Sequence, residues 1–497
     1  MKCYLNKKRV VGTIDPMIYG HFAEHFHRQI YGGIYDPTSR FADADGFRTD
    51  VLEAMRNIKV PILRWPGGCF VSSYNWKKAV GEGRVAVFDK SWRIEDPNTF
   101  GTDEYVKLCR KIGCEPYICT NAGTGTAEEM SDWVEYCNLK NEGEFAKWRI
   151  ANGYSEPHNI KYWSIGNENW GAHEIGARDT KEWGRLVAES AKMMLHVDPS
   201  IQLSAAALTD IDWNVNLLKM AGKYLKWISI HEYFDRLSAV YAPSDYETAM
   251  ARTARLGRSI ESVRGTLMMF GLDKQIRIAF DEWNLRGWHH PFIHKNLTES
   301  PDIETVLKAR DKNDTNSTYT TADSVFTACF LNDCIRNCDI VGMANFAPVV
   351  NTTGAIFTHE NGIVKRSTYY VFELMTRYMG ESAIGTWIED VPVEAVSGEQ
   401  IKMIDVAAAT RKADGALTVS AVNKHDVENR ELELVLEGDG AARKTVTVYT
   451  LNGASKDSYN DIDSEQVGIS VTSFAAASDT VKIELPPHSV NMIVIEE

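Results

Sequence analysis

Eight times along the first three quarters of the chain, a short apolar run gives way to a stretch with helical periodicity. The runs cover residues 18–23, 60–65, 116–120, 162–166, 201–205, 227–231, 276–280 and 341–346. Helical stretches lie between them, among them residues 50–57, 102–112, 127–137, 180–196, 246–270 and 321–337. Runs this apolar read as strands covered on both faces, and strands separated by helices pair in parallel. Eight such units favour a closed (β/α)8 TIM barrel over an open doubly wound sheet. No Gly-x-Gly-x-x-Gly follows the first run, which argues against a dinucleotide-binding fold.

From about residue 385 the period changes to two. Ile401-Lys402-Met403-Ile404, Leu417-Thr418-Val419-Ser420, Leu432-Glu433-Leu434, Val446-Thr447-Val448-Tyr449 and Val481-Lys482-Ile483-Glu484-Leu485 alternate, with turn signals at Asp439-Gly440 and Asn452-Gly453. That is the pattern of an antiparallel β-sandwich. The expected division is a catalytic barrel over residues 16–380 and a C-terminal sandwich over 381–497. A strand within 1–15 needs a sheet to pair with and is expected to join the sandwich. The polar segment 286–320 is long for a compact barrel, and it follows a strand at the barrel face where active sites form.

Two of the strands end alike. Tyr162-Trp163-Ser164-Ile165 runs into Gly166-Asn167-Glu168-Asn169-Trp170, and Ile276-Arg277-Ile278-Ala279-Phe280 runs into Asp281-Glu282-Trp283-Asn284. Each brings a glutamate, with an asparagine and a tryptophan nearby, to the end of a buried strand. Two carboxyl groups at one barrel mouth are what glycoside cleavage needs: one acid to protonate the leaving oxygen, and one carboxylate to attack carbon or activate water. Their environments must then keep one protonated and the other ionised. Trp163, Trp170, Trp283 and Trp288 offer apolar faces on which sugars stack.

Composition narrows the partners. A formal net charge of −14 leaves no basic stripe for nucleic acid, so none is expected. No apolar run is long enough to span a membrane, and the first residues lack the core of a signal peptide; a cytoplasmic location is expected. The nine cysteines end at Cys338 and form neither a disulfide framework nor zinc spacing. Strand alternation would set His21, His25 and His27 on one face, suited to metal ligation or, in preference, to hydrogen bonding within a site. No cofactor or metal is implied. His289-His290 could border the pocket or be solvated.

Taken together, the motifs around Glu168 and Glu282 resemble the acid/base and nucleophile motifs of glycoside hydrolase family 51, mainly α-L-arabinofuranosidases. Tyr19-Gly20-His21-Phe22-Ala23-Glu24-His25 and Leu63-Arg64-Trp65-Pro66-Gly67-Gly68-Cys69-Phe70 resemble that family's first two strands. The likeness runs in order to Leu485-Pro486-Pro487-His488-Ser489. It implies Glu168 as general acid/base and Glu282 as nucleophile of a retaining double displacement. It implies that Glu24, Cys69 and Asn167 bind furanose hydroxyls, that Tyr233 lies against the nucleophile, and that Arg64 keeps it ionised. The implied activity is exo-acting removal of terminal arabinofuranose from arabino-oligosaccharides by a homo-oligomer, commonly a hexamer in the family. Arg286 stands where the family often has tryptophan, with Trp288 two residues on, and Arg366 stands where glutamine is usual. These departures suggest a substrate rim that prefers extra hydroxyls or an acidic decoration. The alternatives are another glycone (β-xyloside, galactofuranoside or β-glucan) and a non-catalytic sugar-binding protein.

Overall fold

The computed structural model describes residues 1–235, 243–288, 302–438 and 443–496. The chain opens with strand β1 (Lys2–Thr13), and eight barrel strands follow: β2 (Gly20–Phe22), β3 (Ile62–Trp65), β4 (Glu115–Thr120), β5 (Tyr162–Ile165), β6 (Gln202–Ala205), β7 (Trp227–Tyr233), β8 (Arg277–Asn284) and β9 (Val341–Phe346). Their order in the sheet is β6-β5-β4-β3-β2-β9-β8-β7, and every neighbouring pair is parallel. Parallel bridges from Leu203 to Leu225 and from Ala206 to Ser229 bring β6 against β7 and close the barrel.

Helices on the outside carry the apolar faces that cover these strands. Asp179 caps Thr180–Val197 by accepting from the Lys181 and Glu182 amides, and Glu182 reaches back to the Asp179 amide. Residues 246–270 do not form one helix. They break into Tyr246–Arg252, a 3-10 turn Thr253–Arg255 and Arg258–Met269, because Gly257 turns the backbone to φ 80°. Segment 286–320 contains a helix, Ile303–Arg310; His289, His290 and the rest of 289–301 lie outside the described residues.

Beyond the barrel, a nine-stranded sheet curls around a second apolar core that includes Cys3, Leu5, Val419, Leu434, Val448, Ile483 and Ile493. β1 lies inside this sheet. It pairs antiparallel with Ser382–Glu389 and parallel with Arg430–Leu436, the latter being the parallel exception in a mostly antiparallel domain. The helix Thr321–Arg336 joins the two bodies. Asn332 Nδ2 and Arg336 Nη1 both donate to Asp405 Oδ1, at 2.7 and 3.0 Å. Among the described residues, no helix is long and apolar enough to cross a membrane.

Candidate active site

The C-terminal ends of β2, β3, β5, β7 and β8 converge on one cluster of charged side chains. Arg64, on β3, is wholly buried at its centre. Its Nη1 donates to Glu282 Oε2 at 2.8 Å, its Nη2 donates to Asn167 Oδ1 at 2.8 Å, and its Nε lies 3.4 Å from Asp281 Oδ2. The Phe22 ring packs against the guanidinium, 5.1 Å from Cζ. These anions hold Arg64 in its charged form despite burial. Tyr233 OH donates to Glu282 Oε1 at 2.9 Å, so each oxygen of this carboxylate has a donor.

Strand alternation should place Asp281 and Glu282 on opposite faces. An irregularity in the β7–β8 pairing between Ala279 and Glu282 turns both toward the barrel interior. Asp281 accepts from Ser229 Oγ at 2.6 Å and from Tyr117 OH at 2.7 Å. Its burial would raise its pKa, but Arg64 and His231 hold it below the usual carboxylate range.

Glu168 sits on a sharp turn off β5, in left-handed backbone (φ 45°) unusual for a residue with a side chain. Gly166 makes the turn possible at φ 71°; a Cβ there would lie 2.1 Å from Asn169 Oδ1. Oε1 of Glu168 is 2.8 Å from His231 Nδ1, and Oε2 is 2.8 Å from His173 Nε2. Burial acts to raise the pKa of Glu168, but these two imidazoles outweigh it and hold the carboxyl well below its usual range. His231 also lies 3.6 Å from Glu282 Oε2 and 3.4 Å from Asp281 Oδ1. Burial disfavours its charged form, yet these three anions push it up to about 10. His173 is raised by its bond to Glu168. The shifts thus favour the proton on His231 over Glu168, with His173 raised in the same direction. One oxygen of Glu168 and one of Glu282 lie within 4.8 Å of each other, with His231 between them.

Glu24 follows β2. Its Oε1 accepts from the Phe70 amide at 3.0 Å and from Trp92 Nε1 at 2.9 Å. Burial, reinforced by the nearby Glu282 charge, pushes it well up. Gly67 (φ 146°) lets the backbone pass, since a Cβ there would sit 2.3 Å from Glu24 Cγ. At Gly68 a Cβ would lie 3.1 Å from Glu282 Oε2 and 3.3 Å from Glu24 Oε2. Cys69 opens the next turn, and burial together with the charges of Glu174, Glu168 and Glu24 raises its thiol well above the ordinary value. Glu174 is pushed up to about 6 by burial; the Ser72 hydroxyl and Cys69 thiol are close enough to temper this without making a hydrogen bond of normal geometry.

The structure therefore brings together Glu24, Arg64, Cys69, Asn167, Glu168, Tyr233 and Glu282. The other three candidates are engaged elsewhere. Arg286 is buried and forks onto both oxygens of Asp323, at 2.7 and 2.9 Å, with Asp235 3.4 Å away. Arg366 is buried over the Tyr319 ring and donates to Asn316 Oδ1 and to the carbonyls of Thr352 and Gly354. Trp288 packs with Phe22, Phe26 and Trp92. Among the described residues, no ion pair or hydrogen bond joins Arg286 or Arg366 to Glu168 or Glu282. Trp163 and Trp283 are fully buried, the latter stacked on Phe330, so neither offers a face to a sugar. Trp170 is partly exposed, edge-on to His173.

The three N-terminal histidines do not share a face, because β2 ends at Phe22 and the chain then turns. His21 packs on Phe346 and Phe372, and burial lowers it to about 3. His25 accepts from Trp65 Nε1, so its Nδ1–H donates to Asp96. His27 lies 3.2 Å from Asp311. Sequence reasoning missed His231, His173, Asp281 and Glu174. His231 stands two residues before Tyr233 on one strand, so period two could have found it. His173 and Glu174, in an irregular loop, carry no such signal.

Two family models match the chain: the α-L-arabinofuranosidase 1 domain over residues 54–252 and the α-L-arabinofuranosidase C-terminal domain over 281–489. Alpha-L-arabinofuranosidase C of Emericella nidulans is 33% identical, over 98% of this chain and 96% of that one. The intracellular exo-α-(1→5)-L-arabinofuranosidase of Halalkalibacterium halodurans is 31% identical over 86% of each. Among solved structures, the α-L-arabinofuranosidase of Thermotoga maritima in its arabinose complex superposes with a TM-score of 0.88 and 33% identity, covering all of both chains. The chain is a glycoside hydrolase and belongs to family 51, the α-L-arabinofuranosidases.

Proposed function

We propose that the protein is a retaining, exo-acting α-L-arabinofuranosidase that releases terminal arabinofuranose from short oligosaccharides. The observation that carries the retaining assignment is the approach of Glu168 and Glu282 to within 4.8 Å, oxygen to oxygen. Retaining pairs stand about 5–5.5 Å apart, whereas inverting pairs keep roughly 6.5–9.5 Å for a water. Arg64 and Tyr233 hold the two oxygens of Glu282, which aims an ionised carboxylate at the anomeric carbon. Glu282 attacks and forms a glycosyl ester while Glu168 protonates the departing oxygen. Glu168 then takes a proton from water, which hydrolyses the ester. The proton that Glu168 delivers is stored on its two histidines and passes to it as the leaving oxygen arrives. Glu24, Cys69 and Asn167 supply the polar wall that reads furanose hydroxyls.

The barrel, residues 16–380, carries this chemistry, and residues 1–15 with 381–497 form the supporting sheet. The exo mode, oligosaccharide substrates and a cytoplasmic location follow the character of the 31%-identical relative, which is named intracellular and exo-acting. Assembly as a homo-oligomer rests on family resemblance alone, and no cofactor is required. The test is the anomer first released from an aryl α-L-arabinofuranoside, followed by NMR. The α anomer is expected, and β anomer first would overturn retention. Glu282→Ala should lose nearly all turnover and regain it with azide, giving an inverted azide product. Glu168→Ala should lose activity mainly on substrates with poor leaving groups. A panel of aryl xylosides, galactofuranosides and glucosides tests the glycone.

A further inference from the structure

Next to Glu168 stands a second group of donors that the sugar chemistry does not fully use. Cys69, His173 and Glu174 each place a potential ligand atom within 4.8 Å of the other two. They come from two separate segments, the turn after β3 and the loop after β5. Glu174 is only 5% exposed, and its enclosed Oε1 makes no hydrogen bond of normal geometry among the described residues, although the Ser72 hydroxyl and Cys69 thiol lie beside the carboxyl group. Its other oxygen receives only a long bond, 3.4 Å from Asn167 Nδ2. The adjoining Ser72 hydroxyl is enclosed and unpartnered as well. A buried carboxylate oxygen without a well-formed hydrogen bond is costly, and such groups point to a partner the fold does not itself supply. The ionised Glu168 carboxylate adds negative charge beside the Cys69 thiol.

We propose that Cys69, His173 and Glu174 bind one divalent cation of the zinc class, and that its occupancy inhibits the enzyme. One sulfur, one imidazole nitrogen and one carboxylate oxygen are a donor set suited to zinc, and three protein ligands leave a fourth position for water. On binding, Cys69 gives up its thiol proton to solvent and the sulfur bonds the metal, and a proton held on the ligating nitrogen of His173 is displaced as well, so each ion bound releases at least one proton. No oxidant or reductant takes part. Inhibition follows from placement. His173 is one of the two partners of Glu168, and a cation that recruits its ring takes that partner away. Cys69 is also drawn out of the sugar-binding wall, so cation and substrate compete. The inhibitory half rests on Glu168 being the acid/base; the binding half does not.

Titration calorimetry of the full chain with zinc chloride should show saturable one-to-one binding with proton release. Cobalt should give a thiolate charge-transfer band. Cys69→Ser and Glu174→Gln, each checked for an unchanged melting temperature, should weaken binding by more than the about 10–100-fold that loss of an outer-shell partner costs. The Cys69 variant should also lose the band. His231→Asn and Glu168→Ala should still bind. No saturable binding by the wild type would overturn the proposal. So would binding that survives in Cys69→Ser and Glu174→Gln but is lost in His231→Asn, since the ion would then sit between Glu168 and Glu282. For inhibition, zinc should raise the apparent KM and leave kcat unchanged. Binding without that effect would sink the inhibitory half alone.

Discussion

Arg64 and the two histidines divide the work of the carboxylates. The guanidinium serves Glu282 and Asp281, and the imidazoles serve Glu168. Arg64→Leu would remove the guanidinium from two buried carboxylates and leave His231 as their shared cation, and the expected cost is about 3–5 kcal/mol of stability, read by denaturant unfolding, with loss of turnover. His231 sets a pH dependence whose sign is fixed. Its pKa in the fold is about 10, against an ordinary value of about 6.5 in the unfolded chain. Its stabilisation is complete below about 6.5 and is lost as pH rises toward 10. The melting temperature should therefore fall more steeply over that range in the wild type than in His231→Asn; equal slopes would contradict the assignment. Gly67→Ala drives a Cβ into Glu24 and should cost about 1–3 kcal/mol, together with activity. At this scale the sequence was readable where a motif or a period pointed: Glu168 and Glu282 at strand ends, Tyr233 and Arg64 through resemblance. Asp281 was hidden by a local pairing irregularity, which no residue type announces.

The barrel strands were legible as elements because each is covered on both faces and so reads as an apolar run. Their ends were less so. The first run extends over 18–23, but Asp15 caps a 3-10 turn Pro16–Tyr19, leaving only Gly20–Phe22 as strand. The last barrel-closing elements rely on charge. Asp323 accepts from the Thr320 amide to start its helix and also receives the fork of Arg286, so one carboxylate ties the loop after β8 to the helix Thr321–Arg336. Sequence reasoning took Arg286 for a rim residue because nothing in the chain marks Asp323 as its partner. A double-mutant cycle on Arg286→Met and Asp323→Asn should show strong coupling, each single change costing about 3–5 kcal/mol and the pair less than their sum. Arg286→Trp should lower the melting temperature for the same reason.

At the scale of the whole molecule, Asp405 in the sheet domain anchors the helix Thr321–Arg336 that precedes β9. Asp405→Ala should lower the melting temperature of barrel and sheet together, as one calorimetric transition; two separated transitions would show the bodies to be independent. Residues 16–380 expressed alone should aggregate, because the helix Thr321–Arg336 would expose the side it now packs on the sheet. The change of period near residue 385 made the second body legible, but not the depth at which β1 enters it. That strand lies between Ser382–Glu389 and Arg430–Leu436. During synthesis it leaves the ribosome well before either of these neighbours. At about 5–20 residues per second the wait is roughly 20–80 seconds. Through all that time an unpaired strand with the apolar side chains of Cys3 and Leu5 must stay clear of wrong partners, so a nascent chain of this protein has reason to depend on a chaperone while β1 waits for its neighbours.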